Sequence, residues 1–167
     1  FDRDGNPLPA EKRGFHGVIS NPPWETIKPV RKECAGIGKY GKDIKDFNKW
    51  FKDELKANQE FKQKWEDYVQ FYATYRDFLR GKYSYQGTGD LNYYKVFSER
   101  DLKSIKDGGV MTILIPSGFQ TDRETSDLRK LIFDNYQLIE LYSFENNGYK
   151  EVINGNEVRI KPFPEVH

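Results

Sequence analysis

Two adjacent prolines directly after an apolar run constrain this chain more than any other feature. The run is Val18-Ile19-Ser20, and "VISNPPW" continues through Asn21, Pro22 and Pro23 to Trp24. Proline has no N–H and a fixed φ, so a pair of them ends a strand abruptly and stiffens the backbone around them. The chain therefore commits to a strand over "GFHGVIS" (14–20), followed by a rigid turn that presents an amide and an indole.

The periodicity beyond this turn is helical. Ile44, Phe47, Phe51 and Leu55 recur on one face, and Phe61, Trp65, Tyr68, Tyr72, Tyr75 and Leu79 continue the spacing, which predicts one or two long helices over about 39–82. "GKYSYQGTGD" (81–90) reads as the loop that ends them. Asp90 is expected to cap the next helix, "LNYYKVFSERDLKSIK", with Leu91, Tyr94, Phe97, Leu102 and Ile105 as its apolar stripe, and "KDGG" to close it at a glycine cap. "VMTILIP" (110–116) reads as a fully apolar, buried strand. "TDRETSDLRKLIFDNY" reads as an amphipathic helix, "LIELYSF" (138–144) as a strand, and "VINGNEVRI" as a hairpin turning at Asn154-Gly155. The resulting order predicts an α/β layered sheet with an antiparallel edge.

The 27 basic and 26 acidic residues nearly cancel, so overall charge argues neither for nor against nucleic acid. The single cysteine, Cys34, excludes an internal disulfide framework and fits a reducing compartment, which points to the cytoplasm. No apolar run approaches the roughly 18 residues of a membrane span. His16 reads as a hydrogen-bonded strand-edge residue. The lysines at 42, 45, 49, 52 and 56 form a stripe that is either a rail for phosphates or a solvated face. The only methionine is Met111, and Phe1 opens directly on turn residues, so the chain reads as a piece of a longer polypeptide.

In open α/β sheets, ligands sit beyond the carboxyl ends of the strands, where Asn21 to Trp24 fall. An exocyclic amine on an aromatic ring is a poor nucleophile because its lone pair is delocalised. Two acceptors on its N–H groups would free that lone pair. Asn21 offers a side-chain carbonyl, and Pro22 offers a backbone carbonyl whose direction Pro23 fixes. Trp24 offers a face on which a ring can stack.

"NPPW" matches the (N/D/S)-P-P-(Y/F/W) motif of S-adenosylmethionine-dependent amino-methyltransferases. The further order "GFHGVISNPPWE", helical insert, "YQGTGDLNYYKVFSERDLKSIKDGG" and "ILIPSGF" resembles the methylase portion of gamma-class adenine-N6 DNA methyltransferases. It is most similar to those fused with an endonuclease in bacterial restriction–modification enzymes. The resemblance implies the carboxyl-side half of a Rossmann-like methyltransferase fold, a mixed sheet with an antiparallel edge hairpin. Residues 1–24 and 89–167 would be the α/β core and 25–88 a helical insertion. It also implies double-stranded DNA with a flipped adenine as substrate and S-adenosylmethionine as methyl donor, with no metal. A fused endonuclease and a target-recognition domain are possible partners.

By that resemblance, Asn21 and Pro22 accept the amine hydrogens, Trp24 stacks on the flipped base, and Phe163 in "PFPEV" packs its other side. Asn21 also lies near the donor methyl, and Phe97 lines the cofactor's adenine pocket. The glycine-rich cofactor loop belongs upstream of the double proline in this class. "GIGKYG" (36–41) fits G-x-G-x-x-G but follows no strand, so the loop is expected to lie outside this stretch and the isolated chain to be inactive. The alternatives are an RNA or protein-glutamine amino-methyltransferase, and a non-catalytic DNA-recognition module.

Overall fold

The computed structural model describes residues 3–9, 12–36, 44–144, 149–153 and 156–160. Strand β1 (Phe15–Ser20) leads into a short helix α1 (Arg31–Ala35), then α2 (Ile44–Ala57) and α3 (Gln59–Lys82). Helix α4 (Tyr93–Ser104) runs straight into β2 (Ile105–Ile113), and α5 (Gly118–Thr121), a 3₁₀ turn (Arg123–Thr125) and α6 (Ser126–Asn135) come next. Strands β3 (Tyr149–Ile153) and β4 (Asn156–Ile160) come last. The chain divides into two units, Phe1–Tyr136 and Gln137–His167.

In the first unit, β1 and β2 pair in parallel, with Gly17 opposite Val110 and Ser20 opposite Ile113, and a register shift between Phe15 and Gly17. The helical insert is two helices, because Asn58 is extended and caps α3 through Oδ1, which accepts from Phe61 N–H. The aromatic periodicity packs them together. Phe51 is buried, and its ring meets Phe61 (5.3 Å between centroids) and Trp65 (5.0 Å) edge to face. One core cluster joins Ile27, Leu79, Leu91 and Val96, and another joins Leu102, Phe119, Leu128 and Leu131.

Several expectations need correction. Helix α4 is preceded by Asn92 rather than Asp90 as its cap. The reason is a bridge between Thr26 and Asn92, in which Ile27 N–H donates to Leu91 O (2.7 Å) and Tyr93 N–H to Glu25 O (3.1 Å), holding residues 91–92 extended. The glycines of "KDGG" do not cap the helix, since Ile105 is already extended and Gly108 falls inside β2. Strand β2 begins earlier than 110 and is not buried throughout. Val110 and Leu114 are exposed, as are Phe15 and Ile19 on β1, because the described sheet has two strands and alternating side chains face away from the helices.

"LIELYSF" forms no described strand, and Ile139, Tyr142 and Phe144 are exposed, since no described strand pairs with this segment. The mixed sheet with an antiparallel edge is also not what the described strands make. The sheet of the first unit is purely parallel, and β3 and β4 pair antiparallel as a sheet of their own in the second unit. The turn residues Asn154 and Gly155 lie outside the described residues. What stands is an α/β architecture with a small parallel sheet and helices, compatible with a methyltransferase fold.

Candidate functional site

The turn Asn21–Trp24 begins where β1 ends. Ser20 pairs with Ile113, and Leu114 N–H donates to Ser20 O at 3.0 Å, so the turn departs at the carboxyl ends of both parallel strands. Pro22 is buried, whereas Asn21 and Pro23 are exposed. Trp24 keeps 50% of its surface open. The Asn21 amide makes no hydrogen bond to another described residue, so both of its polar atoms remain available. An acceptor without an internal partner and a half-open indole, on a turn stiffened by two prolines, can receive a flat ring bearing N–H donors.

The exit of the turn is tied down. The bridge through Glu25, Thr26 and Ile27 fastens it to Leu91–Tyr93, at the start of α4. Ile27 is fully buried, which anchors the far side of the turn in the core. Phe97 lies one turn into that helix, partly open, with the Arg100 guanidinium 5.8 Å from its ring centroid. The structure thus sets Asn21, Pro22, Pro23 and Trp24 in one turn and links that turn to the helix carrying Phe97. Phe163 lies outside the described residues, as does most of "GIGKYG".

Sequence reasoning missed the most deeply buried polar group. Glu99 on α4 is 0% exposed, and its carboxylate accepts from Ser84 N–H and Tyr85 N–H (both 3.0 Å), Gln86 Nε2 (2.7 Å) and Lys103 Nζ (2.6 Å). Burial pushes its carboxyl up, but the hydrogen bonds from Lys103, Gln86 and the Tyr85 and Ser84 amides outweigh it and hold the group below its ordinary value. Lys95 is buried too. Its ammonium donates to Asp90 O at 2.9 Å with Glu124 3.8 Å away, and burial pulls its pKa down. Lys95, Glu99 and Lys103 fall at i, i+4 and i+8, a charge spacing that reads as a solvated face. The expected stripe residue Phe97 is less buried than Lys95 and Glu99 on either side of it.

The remaining candidates are structural or surface groups. Cys34 is buried and burial raises its thiol pKa, which leaves it unreactive. His16 Nε2 lies against Lys106 Nζ at the strand edge. Of the lysine stripe, Lys49, Lys52 and Lys56 are exposed on α2, Lys42 lies outside the described residues, and so does the side chain of Lys45. Among the described residues, no cluster of three or more His, Cys, Asp or Glu side chains could hold a metal ion, and no helix is long and apolar enough to cross a membrane.

No curated protein and no solved structure matches the chain. A family model does match, over residues 2–149, a span that includes the double-proline turn, the helical insert, α4 and β2. The match covers most of the sequence, and the chain belongs to the Eco57I restriction-modification methylase family.

Proposed function

We propose that the Asn21–Trp24 turn is the amine pocket of a DNA methyltransferase that methylates the N6 amino group of adenine in double-stranded DNA after flipping the base. The observation that carries this reading is the turn itself. An unengaged amide, a stiffened Pro22 carbonyl and a half-open indole stand at the carboxyl end of a parallel strand, in a restriction–modification methylase.

In this reading Asn21 Oδ1 and the Pro22 carbonyl accept the two amine hydrogens, drawing the nitrogen toward tetrahedral geometry so that its lone pair can attack. The proton then leaves the nitrogen for water, and no side-chain base is required. Trp24 stacks on the flipped base, worth about 1–3 kcal/mol and offsetting much of the few kcal/mol that flipping costs. Phe163 would cover the other face. S-adenosylmethionine, when bound, supplies a methyl on a sulfonium that departs with the electrons of the broken C–S bond. The partly open ring of Phe97 suits one face of its adenine, and Asn21 would stand near the methyl. These residues make one wall of a cofactor site. The isolated 167-residue chain should accordingly bind S-adenosylmethionine no better than about millimolar.

The test is methylation by the protein expressed from its complete open reading frame. Digested product DNA should contain N6-methyladenine, and Asn21→Ala should abolish most of it. Methyl groups appearing only on cytosine, RNA or protein would overturn the reading, as would full activity in Asn21→Ala.

A further inference from the structure

The connection from α3 to α4 is held unlike an ordinary surface loop. Loops of this kind usually run through solvent with their backbone groups bonded to water. Here the Glu99 carboxylate takes the Ser84 and Tyr85 amides and the Gln86 side chain. Arg80, in the last turn of α3, then donates to Gly87 O (3.0 Å) and Gly89 O (2.7 Å), and Lys95 donates to Asp90 O. Leu91 and Tyr93 continue into the bridge that fastens the exit of the double-proline turn.

Residues 84–93 therefore form a strap with a bonded anchor at nearly every step. At Gly87 the strap also lies too close to the 3₁₀ turn for a side chain. A Cβ on Gly87, whose φ is +68°, would collide with the backbone oxygen of Glu124.

Gln86 is held in a single orientation. Its Nε2 must face Glu99 Oε2 and Lys95 O, both acceptors, so the amide cannot be turned over. Its Oε1 is left buried without a partner among the described residues.

We propose that Glu99 is a positioning residue for base capture: through the strap 84–93 it fixes the exit of the Asn21–Trp24 turn, so that Trp24 stands where a flipped base can stack. Glu99 touches neither base nor cofactor in this arrangement. It acts through Ser84–Gln86 at one end of the strap, and the bridge to Glu25–Ile27 delivers the effect at the other. The inference rests on the amine-pocket reading above.

The experiment uses the protein from its complete open reading frame and a duplex carrying 2-aminopurine at the target adenine, whose fluorescence rises on flipping. Glu99→Gln keeps the size of the side chain but removes the charge and turns one acceptor into a donor that faces donors. Arg80→Ala removes the second anchor from an exposed position, so it should fold in any case. Leu128→Ala, a cavity variant in the other core cluster on α6, serves as a control for lost stability alone.

Glu99→Gln and Arg80→Ala should lose most of the 2-aminopurine signal, and kcat should fall by about 10- to 100-fold, as expected when a reacting group is misplaced by around an ångström. Binding of S-adenosylmethionine should be retained. Leu128→Ala should keep the wild-type signal at a temperature where it is folded. A wild-type signal and kcat in folded Arg80→Ala and Glu99→Gln would overturn the proposal, and so would an equal loss in Leu128→Ala. Wild-type protein that methylates adenine and depends on Asn21 keeps the amine-pocket reading standing whichever way the strap variants fall.

Discussion

The double-proline turn and the strap 84–93 meet at the bridge between Thr26 and Asn92, yet they are held in opposite ways. The turn is stiff because of its covalent structure: two pyrrolidine rings set its path, and Asn21 and Trp24 remain open. The strap is stiff because of its hydrogen bonds: glycine at positions 87 and 89 allows almost any path, and Glu99, Arg80 and Lys95 select one. A site that must receive a ligand benefits from the first kind of stiffness, since its polar groups stay unengaged. A support that must not move can use the second, because there nearly every polar group can be satisfied internally.

The sharpest way to break this contrast is to remove the buried carboxylate. Glu99→Ala leaves Lys103 and the Ser84 and Tyr85 amides without their acceptor and should cost about 3–5 kcal/mol of stability, measured by urea unfolding. A loss within experimental error would show that the strap does not depend on Glu99. Asn21→Ala should do the reverse. Loss of a preorganised group from the transition state should cost about 2.7–4 kcal/mol, or 100- to 1000-fold in methylation rate. Its stability should move by no more than about 0.5 kcal/mol, because Asn21 is exposed. A large drop in stability with intact turnover would make Asn21 a structural residue and erase the contrast.

Trp24 tests the open side more gently. Trp24→Ala should weaken capture of the flipped base by about 1–3 kcal/mol, read as 2-aminopurine fluorescence, while Trp24→Phe keeps most of it. An unchanged signal in the alanine variant would assign the indole to packing alone.

Acid sharpens the buried side. The hydrogen bonds to Glu99 hold its native pKa below the ordinary carboxylate value, so its contribution is present above the unfolded pKa of about 4.3 and is lost as pH falls through the native value. The stability difference between wild type and Glu99→Gln should therefore narrow below about pH 4, by up to about 1.4 kcal/mol per pH unit. A difference that stays constant from neutral pH to about pH 3 would mean that folding does not lower the Glu99 pKa. The smallest effect expected is at the helical insert, away from both regions. Asn58→Ala removes the α3 cap and should cost about 1 kcal/mol with no change in base capture.

Wherever one local force dominates, the sequence is legible. The proline pair stops β1 at Ser20, the aromatic period makes α2 and α3, and apolar spacing makes the bodies of α4 and α6, though not their ends. The family order around "NPPW" is legible in the same way, and the family match runs across it. Asn58 is a cap-favouring residue in the break between Leu55 and Phe61, but only the fold shows it dividing the two helices. "LIELYSF" carries every local mark of a strand and still makes none among the described residues, because a strand exists only where a partner offers its hydrogen bonds.

What the sequence by itself determined is the rigid turn, the residues it presents and the helices that carry the rest, all set by backbone geometry and side-chain periodicity. The start of α4, the exposure of β1 and β2, and the burial of Lys95 and Glu99 were decided only by tertiary structure. The physical reason is the same in each case. A charge at helical spacing is indistinguishable from a surface charge until another segment crosses it, and only the strap's amides, brought in from elsewhere in the chain, make an ionised carboxylate tolerable in the interior.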